Sequence, residues 1–323
     1  MTTPTVGFIG LGSMGAVLAA NVLGAGLDMV AYDVAGPDRI PAGAHEADSV
    51  DEVAARADIV VLSLPDGSAS AAVCREIATA EGARVTHVID TSTVGVTAAQ
   101  ANTALLADAG IGYVDAPVSG GIAGARARTL LVMVAASDDA CAAVEPVLAG
   151  LSDRRTRVGD RPGLAQAMKL ANNFLSATTL AATSEAIAFG TAAGLSMATM
   201  LEVLNAASGQ SAATSDKFPN HVLTERYAAG FANTLMAKDV DLYRSAVADQ
   251  GAPQHLVTSV ADLWRRFAAA EPGADFTRIY EFSRSAPAGV EPAALPPRAQ
   301  KAVLSYPPLS ASGPRWPKPL PRT

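Results

Sequence analysis

The sequence predicts an α/β fold in which a doubly wound parallel sheet is followed by an all-α region. A short β-type run at Val6–Ile9 is followed by a helix-like segment, 16–23, and between them stand Gly10, Gly12 and Gly15 in G-x-G-x-x-G spacing. Apolar runs typical of strands buried on both faces then alternate with helical runs. The rest of the chain is helical in pattern, with no convincing strand.

The individual elements follow from these apolar runs and the turn residues between them. Further strands are predicted at 29–32, 59–64, 85–90, 112–115 and 130–135. Further helices are predicted at 69–80, 97–109, 141–151, 164–193, 197–207, 215–226, 231–249 and 255–270. The segment 170–184 carries no charged residue, so we expect its helix to be buried on all sides, between domains or between subunits.

These runs divide the chain into three parts. Residues 1–162 are predicted to form a dinucleotide-binding domain and residues 163–285 an all-α domain for substrate binding and oligomerisation. The last part, 286–323, holds 10 of the 20 prolines and lacks a periodic pattern. It is interpreted as a disordered tail, and a proline-rich docking segment is the alternative.

The glycine-rich turn has the features of a Rossmann dinucleotide site. Gly10 permits a tight turn, Gly12 lets the backbone approach a pyrophosphate, and Gly15 lets the helix pack on the strand. The cofactor contacts are therefore assigned to the whole turn, which also includes Leu11, Ser13 and Met14. Asp33 ends the second strand and can bind both ribose hydroxyls.

The same aspartate favours NAD over NADP as the cofactor. A carboxylate at Asp33 would repel a 2′-phosphate, and no lysine or arginine lies between it and Arg39. Arg39 leaves the preference open to revision, because its loop could carry the side chain back toward Asp33.

The composition and net charge limit the classes of partner that the protein is expected to bind. A net charge of −7 gives no overall positive field for nucleic acid or an anionic membrane, so neither is expected as a partner. Cys74 and Cys141 form no metal or disulfide motif, and the four histidines form no ligand-spaced cluster. We expect no metal, and a soluble, cytoplasmic protein. The apolar stretch 5–27 lacks the basic start of a signal peptide, since the first basic residue is Arg39.

Three stretches carry candidate chemistry. Ser119-Gly120-Gly121, at the carboxyl edge of the sheet, could bind a carboxylate, although an ordinary glycine turn is the alternative. Lys169 lies among apolar residues, which lowers its pKa toward a range useful for proton transfer, unless the side chain snorkels to solvent. Asn172 and Asn173 lie one turn further along that helix.

The third stretch is 235–242, which contains Lys238. This lysine interrupts an apolar helical run and could reach across the cleft to cofactor or substrate. A salt bridge with Asp239 or Asp241 is the alternative.

With these motifs assembled, the chain resembles the β-hydroxyacid dehydrogenase family, which contains 3-hydroxyisobutyrate dehydrogenase and tartronate semialdehyde reductase. The resemblance runs from about Val6 to Phe282. It is carried by GFIGLGSMG, DTSTV, DAPVSGG, KLANN and MAKD, which together are highly specific.

The resemblance implies a role for each of the candidate residues. Lys169 would be the catalytic lysine, with Asn173 as its companion and Asn172 beside the substrate. The substrate carboxylate would be bound by Ser119, Gly120 and Gly121. The cofactor would also be contacted by Leu64, Pro65, Thr93 and Lys238. The family further implies a homo-dimer or tetramer joined through the helical domain.

Two positions depart from the family pattern. Arg128 and Ala165 both stand where the family usually has glycine. We hypothesise that Arg128 or its neighbour Arg126 recognises a second anionic or polar group on a larger substrate, with a solvated turn as the alternative. Ala165 is expected to narrow the cleft slightly.

The predicted function is NAD-dependent oxidation of the primary alcohol of a short 3-hydroxy acid, such as 3-hydroxyisobutyrate, to a semialdehyde. Tartronate semialdehyde reduction is the alternative, with L-threonate or another sugar acid also considered. Imine reduction and a non-catalytic NAD-binding scaffold are remote alternatives. Relatives of both kinds usually lack the catalytic lysine, whereas this chain has Lys169.

Overall fold

The fold was analysed in a computed structural model that describes residues 3–285. The sheet strands are β1 (Val6–Ile9), β2 (Met29–Tyr32), β3 (His45–Glu46), β4 (Ile59–Leu62), β5 (His87–Asp90), β6 (Gly112–Asp115), β7 (Val118–Ser119), β8 (Leu131–Ala135) and β9 (Arg154–Gly159). The predicted segment 286–323 lies outside the described residues.

The helices lie between and after these strands. They are α1 (Gly15–Gly24), α2 (Val50–Arg56), α3 (Gly67–Thr79), α4 (Val96–Asp108), α5 (Gly121–Arg126), α6 (Asp138–Leu151), α7 (Leu164–Ala192), α8 (Met197–Ala206), α9 (Asn233–Asp249), α10 (His255–Ala270) and α11 (Ile279–Ser285). A π-helix spans Ala213–Val222, and 3-10 turns span Pro37–Arg39 and Phe276–Arg278.

The strand order is β3-β2-β1-β4-β5-β6-β8-β7, with β9 paired to β8. All pairs from β3 to β6 are parallel, which confirms the predicted fold class. The prediction of a parallel sheet fails only where β8 runs antiparallel to β6 and β7. The order reverses at β1 and β4, so a crevice opens beyond their carboxyl ends, where folds of this kind bind their ligands.

Helices cover both faces of the sheet. Along β1 the side chains alternate, since Val6 and Phe8 pack in one hydrophobic cluster and Ile9 packs in another. The first cluster includes residues of α1 and α6, and the second includes residues of α2, α3 and α4. Successive strand residues point to opposite faces, so strands covered on both sides read as unbroken apolar runs.

The helical region has its own hydrophobic cluster, built from residues between Ala177 and Tyr280 around Trp264 and Phe267. This separate core is consistent with the predicted division at residue 163, although residues 3–285 form one compact unit and the boundary itself stays a prediction. No helix among residues 3–285 is long and apolar enough to cross a membrane.

Helix α7 is 29 residues long, and part of its surface is exposed within the described chain, so its predicted burial between subunits stays a prediction. Leu175 is 60% exposed and Phe189 is 77% exposed. Both side chains lie on a helix surface that no other part of the described chain covers.

Several short elements were not predicted from the sequence. These are β3, β7, β9, α2, α5, α11 and the π-helix, which replaces the predicted helix 215–226. β3 and β7 have only two residues each, too few to show an alternating pattern. β9 contains three arginines in six residues, because it lies at the sheet edge where charged side chains reach solvent.

Candidate active site

The three glycines of the β1–α1 turn differ in what surrounds them. Gly10 has a φ of +92°, and a Cβ placed there would overlap the Ser63 carbonyl oxygen. A Cβ on Gly15 would overlap the Gly10 carbonyl oxygen. A Cβ on Gly12, in contrast, would meet nothing within 4 Å. The protein fold itself therefore requires Gly10 and Gly15, whereas Gly12 leaves open the space through which a pyrophosphate approaches the backbone.

The same turn offers free hydrogen-bond donors to this space. Within the described residues, the N–H groups of Gly12, Ser13 and Met14 donate no hydrogen bond. Unpaired N–H groups at the start of a helix bind phosphates, so the turn fits the diphosphate of a dinucleotide.

Asp33 is nearly buried at the end of β2. Its Oδ2 accepts a 2.6 Å hydrogen bond from the Leu11 N–H, and its Oδ1 accepts one of 2.8 Å from the Ala35 N–H. Burial raises the pKa of this carboxyl, but the two N–H donors and the Arg39 guanidinium outweigh burial and hold the pKa below its ordinary value. Arg39 does fold back, and its Nη1 lies 3.3 Å from Asp33 Oδ1.

The residues predicted to contact the cofactor beyond the turn lie on two loops at the carboxyl edge of the sheet. The Leu64 N–H, after β4, donates to the Ser92 hydroxyl at 2.8 Å. The Lys238 Nζ donates to the Pro65 carbonyl oxygen at 3.1 Å and to the Thr93 carbonyl oxygen at 2.7 Å. Lys238 thus crosses from α9 to both loops, as its position suggested, and it also lies 3.2 Å from Asp239.

Ser119 ends β7, Gly120 follows it and Gly121 begins α5. These residues face the helical region. A Cβ on Gly121 would lie 3.8 Å from the Ala229 carbonyl oxygen. Within the described residues, the Gly120 and Gly121 N–H groups donate no hydrogen bond. These donors and the Ser119 hydroxyl form a cradle that fits a carboxylate.

Helix α7 brings the predicted catalytic residues to this cradle. The Asn172 Nδ2 lies 3.4 Å from Ser119 Oγ and donates to Asn173 Oδ1 at 3.1 Å. Lys169 lies one turn earlier and is only 7% exposed. Its ammonium makes no hydrogen bond to any residue among 3–285, so its three donors are available to a ligand.

Burial lowers the pKa of Lys169 to about 8. The Asp239 carboxylate opposes this shift, and the Lys238 ammonium adds to it. The sequence prediction of a desolvated lysine with a depressed pKa therefore agrees with its surroundings.

Asp239 is a site residue that the sequence analysis treated only as a salt-bridge partner. It is 1% exposed, and its Oδ2 accepts a 2.6 Å hydrogen bond from the Asn173 Nδ2. Its carboxylate thus lies between Asn173, Lys169 and Lys238. The signal in the sequence was an aspartate directly after a lysine on an otherwise apolar helix face.

The structure contradicts the hypothesis that Arg128 recognises substrate. Its guanidinium donates to the Ala149 and Gly150 carbonyl oxygens, both at 2.9 Å, and pairs with Asp153. The residue has a φ of +57°, a conformation that favours glycine, and this explains the family preference at the position. Arg126 is exposed at the end of α5.

Ala165 does not narrow the cleft as expected. It is fully buried and packs against Met133 and Ala135 of β8. Among the residues described, no three His, Cys, Asp or Glu side chains are grouped so that they could hold a metal ion.

Comparisons with known proteins match both halves of the chain. Residues 5–159 match the family described as the NAD binding domain of 6-phosphogluconate dehydrogenase. Residues 163–283 match the family described as NAD-binding of NADP-dependent 3-hydroxyisobutyrate dehydrogenase.

Two relatives and one solved structure show the extent of the similarity. A probable 3-hydroxyisobutyrate dehydrogenase of Mycobacterium bovis is 34% identical, over 87% of this chain and 98% of that protein. The 2-(hydroxymethyl)glutarate dehydrogenase of Eubacterium barkeri is 34% identical, over 77% of this chain and 84% of that protein.

The solved structure is that of Mycobacterium tuberculosis 3-hydroxyisobutyrate dehydrogenase with L-serine. It superposes with a TM-score of 0.81 at 32% identity and covers 88% of this chain and 100% of that one. The relatives confirm the family resemblance that the motifs carried. The chain belongs to the β-hydroxyacid dehydrogenase family and is an NAD-dependent dehydrogenase that acts on a CH–OH group of a small molecule.

Proposed function

We propose that the protein oxidises the primary alcohol of a short 3-hydroxy acid, 3-hydroxyisobutyrate or a close analogue, to a semialdehyde with NAD. The observation that carries this proposal is the position of Lys169, a buried amine of lowered pKa within one helical turn of Asn172, which contacts the Ser119 cradle. A carboxylate in the cradle would place the neighbouring hydroxymethyl group toward this amine.

In the proposed reaction the substrate alcohol loses a proton and a hydride to two different acceptors. Neutral Lys169 accepts the proton of the substrate hydroxyl, and as ammonium it returns that proton in the reverse reaction. NAD held by the Gly10–Gly15 turn would supply the acceptor for the hydride that leaves the same carbon. Asn173, held by Asp239, orients the hydroxyl or the amine by hydrogen bonding. Ser119, Gly120, Gly121 and Asn172 bind the carboxylate end.

The compounds named with the relatives share one chemical unit. 3-Hydroxyisobutyrate, 2-(hydroxymethyl)glutarate and L-serine each carry a primary alcohol on the carbon next to the one that bears the carboxylate. A carboxylate cradle beside a proton-transferring lysine fits this unit. Arg128 is bonded elsewhere and is not available to the second carboxylate of a glutarate, so the exposed Arg126 is the remaining arginine that could bind it.

We further propose NAD as the preferred cofactor over NADP. Asp33 is held as a carboxylate by its two N–H donors, and a negative charge there repels a 2′-phosphate. The Arg39 guanidinium offsets part of the negative charge of Asp33. Repulsion of a 2′-phosphate remains, because the Arg39 side chain is exposed to solvent whereas Asp33 is buried. The turn Gly10–Gly15, Leu64, Pro65, Thr93 and Lys238 would complete the cofactor site.

We propose a homo-dimer or tetramer joined through the helical region. Leu175 and Phe189 expose large apolar side chains on α7, and a second copy of this helix would cover them. Cytoplasmic location remains a prediction from composition.

The experiment that tests the function is a substrate panel followed by the formation of reduced cofactor. The panel contains 3-hydroxyisobutyrate, L-serine, glycerate, L-threonate and 2-(hydroxymethyl)glutarate, each with NAD and with NADP, and tartronate semialdehyde is assayed in the reducing direction. Lys169→Ala is the matched variant, which should bind NAD but lose turnover. Turnover that survives in Lys169→Ala would refute the proposed role of the lysine. Equal turnover of the sugar acids would shift the assignment to that branch.

A further inference from the structure

The first turn of α7 is fastened to the sheet by two fully buried side chains, Asp115 and Gln166, that the proposed proton transfer does not use. Asp115 Oδ2 accepts hydrogen bonds from the Gly163 N–H at 2.8 Å and the Gln166 N–H at 3.1 Å. Gly163 precedes the helix and has no side chain with which to cap it. An aspartate at the end of β6 therefore provides the cap from another element.

The Gln166 amide is saturated with partners. Its Nε2 donates to Asp115 Oδ1 at 2.7 Å and to the Ser92 carbonyl oxygen at 3.1 Å. Its Oε1 accepts from the N–H groups of Val94 at 2.9 Å and Gly95 at 3.0 Å. Both donors and both lone pairs are used, and the reversed amide would set its donors against two N–H groups. One orientation of the side chain is therefore enforced.

These bonds link the two sides of the reacting centre. Lys169 follows Gln166 by three residues on α7, so it lies on nearly the same face one turn later. The loop 92–95, which Gln166 binds, contains Thr93, whose carbonyl oxygen accepts from Lys238. A shift of Gln166 would move the lysine of α7 relative to the loop that lines the cofactor side.

We propose that Asp115 and Gln166 are positioning residues for the dehydrogenase reaction, which together fix the Lys169 amine against the loop 92–95. The proposal rests on the proposed role of Lys169 in proton transfer. Neither residue touches the substrate in this role, and both act through the placement of α7. An interaction that only stabilised the fold would leave the turnover of folded enzyme unchanged.

The first test replaces Gln166 by methionine, which has a similar length and no amide. Loss of the four bonds should lower kcat by about 10²-fold, because a displacement near 1 Å suffices for such a loss. The KM for the hydroxy acid should change little, and kcat is measured at saturating NAD, because release of the loop 92–95 is also expected to raise the KM for NAD. The matched control is Asn21→Leu, which removes an amide that donates to the Ala125 and Leu151 carbonyl oxygens, neither of which belongs to α7 or to the loop 92–95. The control should lower Tm without lowering kcat.

The second test exchanges the two polar groups. In Asp115→Asn the new amide N–H₂ faces the Gln166 N–H₂, and in Gln166→Glu two carboxylates face each other. Each single variant should lower kcat. In the double variant the amide introduced at position 115 donates to the carboxylate introduced at position 166, while the bonds from Gly163, Val94 and Gly95 persist. The double variant should recover part of the kcat that the single variants lose. This comparison tests the positioning role even if Gln166→Met fails to fold.

Two outcomes would overturn the inference. One is a Gln166→Met enzyme that loses Tm but keeps its kcat, as the Asn21 control should. The other is a double variant whose kcat is no better than the product of the single losses. Lys169→Ala, assayed alongside, separates this failure from a failure of the proposed function, because only the latter leaves Lys169→Ala active.

Discussion

The Lys238 ammonium lies 2.7 Å from the Thr93 carbonyl oxygen, a contact that joins positions 145 residues apart in the chain. The same ammonium reaches the Pro65 carbonyl oxygen at 3.1 Å. One cation of the helical region therefore holds two loops of the sheet region, and both loops lie where the cofactor is expected to bind.

Lys238→Met should weaken both the fold and cofactor binding. Loss of hydrogen bonds from a charged donor should reduce the free energy of unfolding by about 1–3 kcal/mol. The freed loops should raise the KM for NAD by about tenfold, since their carbonyl groups lose a common anchor. Urea unfolding and cofactor titration measure the two effects.

Lys217→Met is the matched control for Lys238. Lys217 pairs with its neighbour Asp216 at 2.6 Å on the π-helix and contacts neither loop. Its loss should leave the KM for NAD unchanged. A Lys238→Met protein with wild-type KM would contradict the proposed role of Lys238 in shaping the cofactor site.

The pKa of Lys169, lowered to about 8 by burial, should set opposite pH dependences for the two directions of the reaction. Oxidation needs the neutral amine, so its kcat should rise as pH increases through about 8. Reduction needs the ammonium, so its kcat should fall over the same interval. Initial rates in both directions across this range test the assignment.

Lys169→Arg provides the control for the pH profile. A guanidinium remains charged throughout the accessible pH range and cannot act as the base. This variant should lose oxidation at every pH. Parallel rather than opposite profiles in the wild-type enzyme would show that another group controls the rate.

The contact between Asp33 and Arg39 should control the choice of cofactor. Asp33→Asn removes the charge that repels a 2′-phosphate and leaves Arg39 free to bind one, so kcat/KM for NADP should rise by about tenfold or more. Arg39→Ala should have the opposite effect and lower kcat/KM for NADP further. If NADP use is unchanged in Asp33→Asn, other residues discriminate between the cofactors.

The sequence was sufficient to predict the fold class and to name most residues of the candidate site, because their signals are local. The G-x-G-x-x-G turn, the acid at the end of β2 and the uncharged run around Lys169 are each recognisable within one short stretch of sequence. The polar partners of these residues were not predictable in this way. Asp239 meets Asn173 across 66 residues, and Gln166 meets Ser92 across 74, so only the folded chain brings them together.

The exposed face of α7 shows a different limit. Its apolar composition predicts burial, but no other part of residues 3–285 covers Leu175 or Phe189. Hydrophobic periodicity predicts that a helix face is covered by another apolar surface. It does not indicate whether that surface belongs to the same chain or to a second one. The Arg128 hypothesis failed for a related reason, since a charge near a cradle in sequence can be bonded elsewhere in space.

The glycines of the turn allow cofactor binding to be separated from folding. Gly12→Ala adds a methyl group where nothing lies within 4 Å, so the protein should fold with unchanged Tm and yet bind NAD far more weakly. Gly15→Ala forces a Cβ against the Gly10 carbonyl oxygen and should reduce the free energy of unfolding by about 1–3 kcal/mol. Gly24→Ala, at the open end of the same helix, should change neither property. Calorimetry and NAD titration on the three variants measure both effects. A Gly12→Ala protein that binds NAD normally would place the pyrophosphate elsewhere, because a methyl group at the point of closest backbone approach cannot be accommodated beside it.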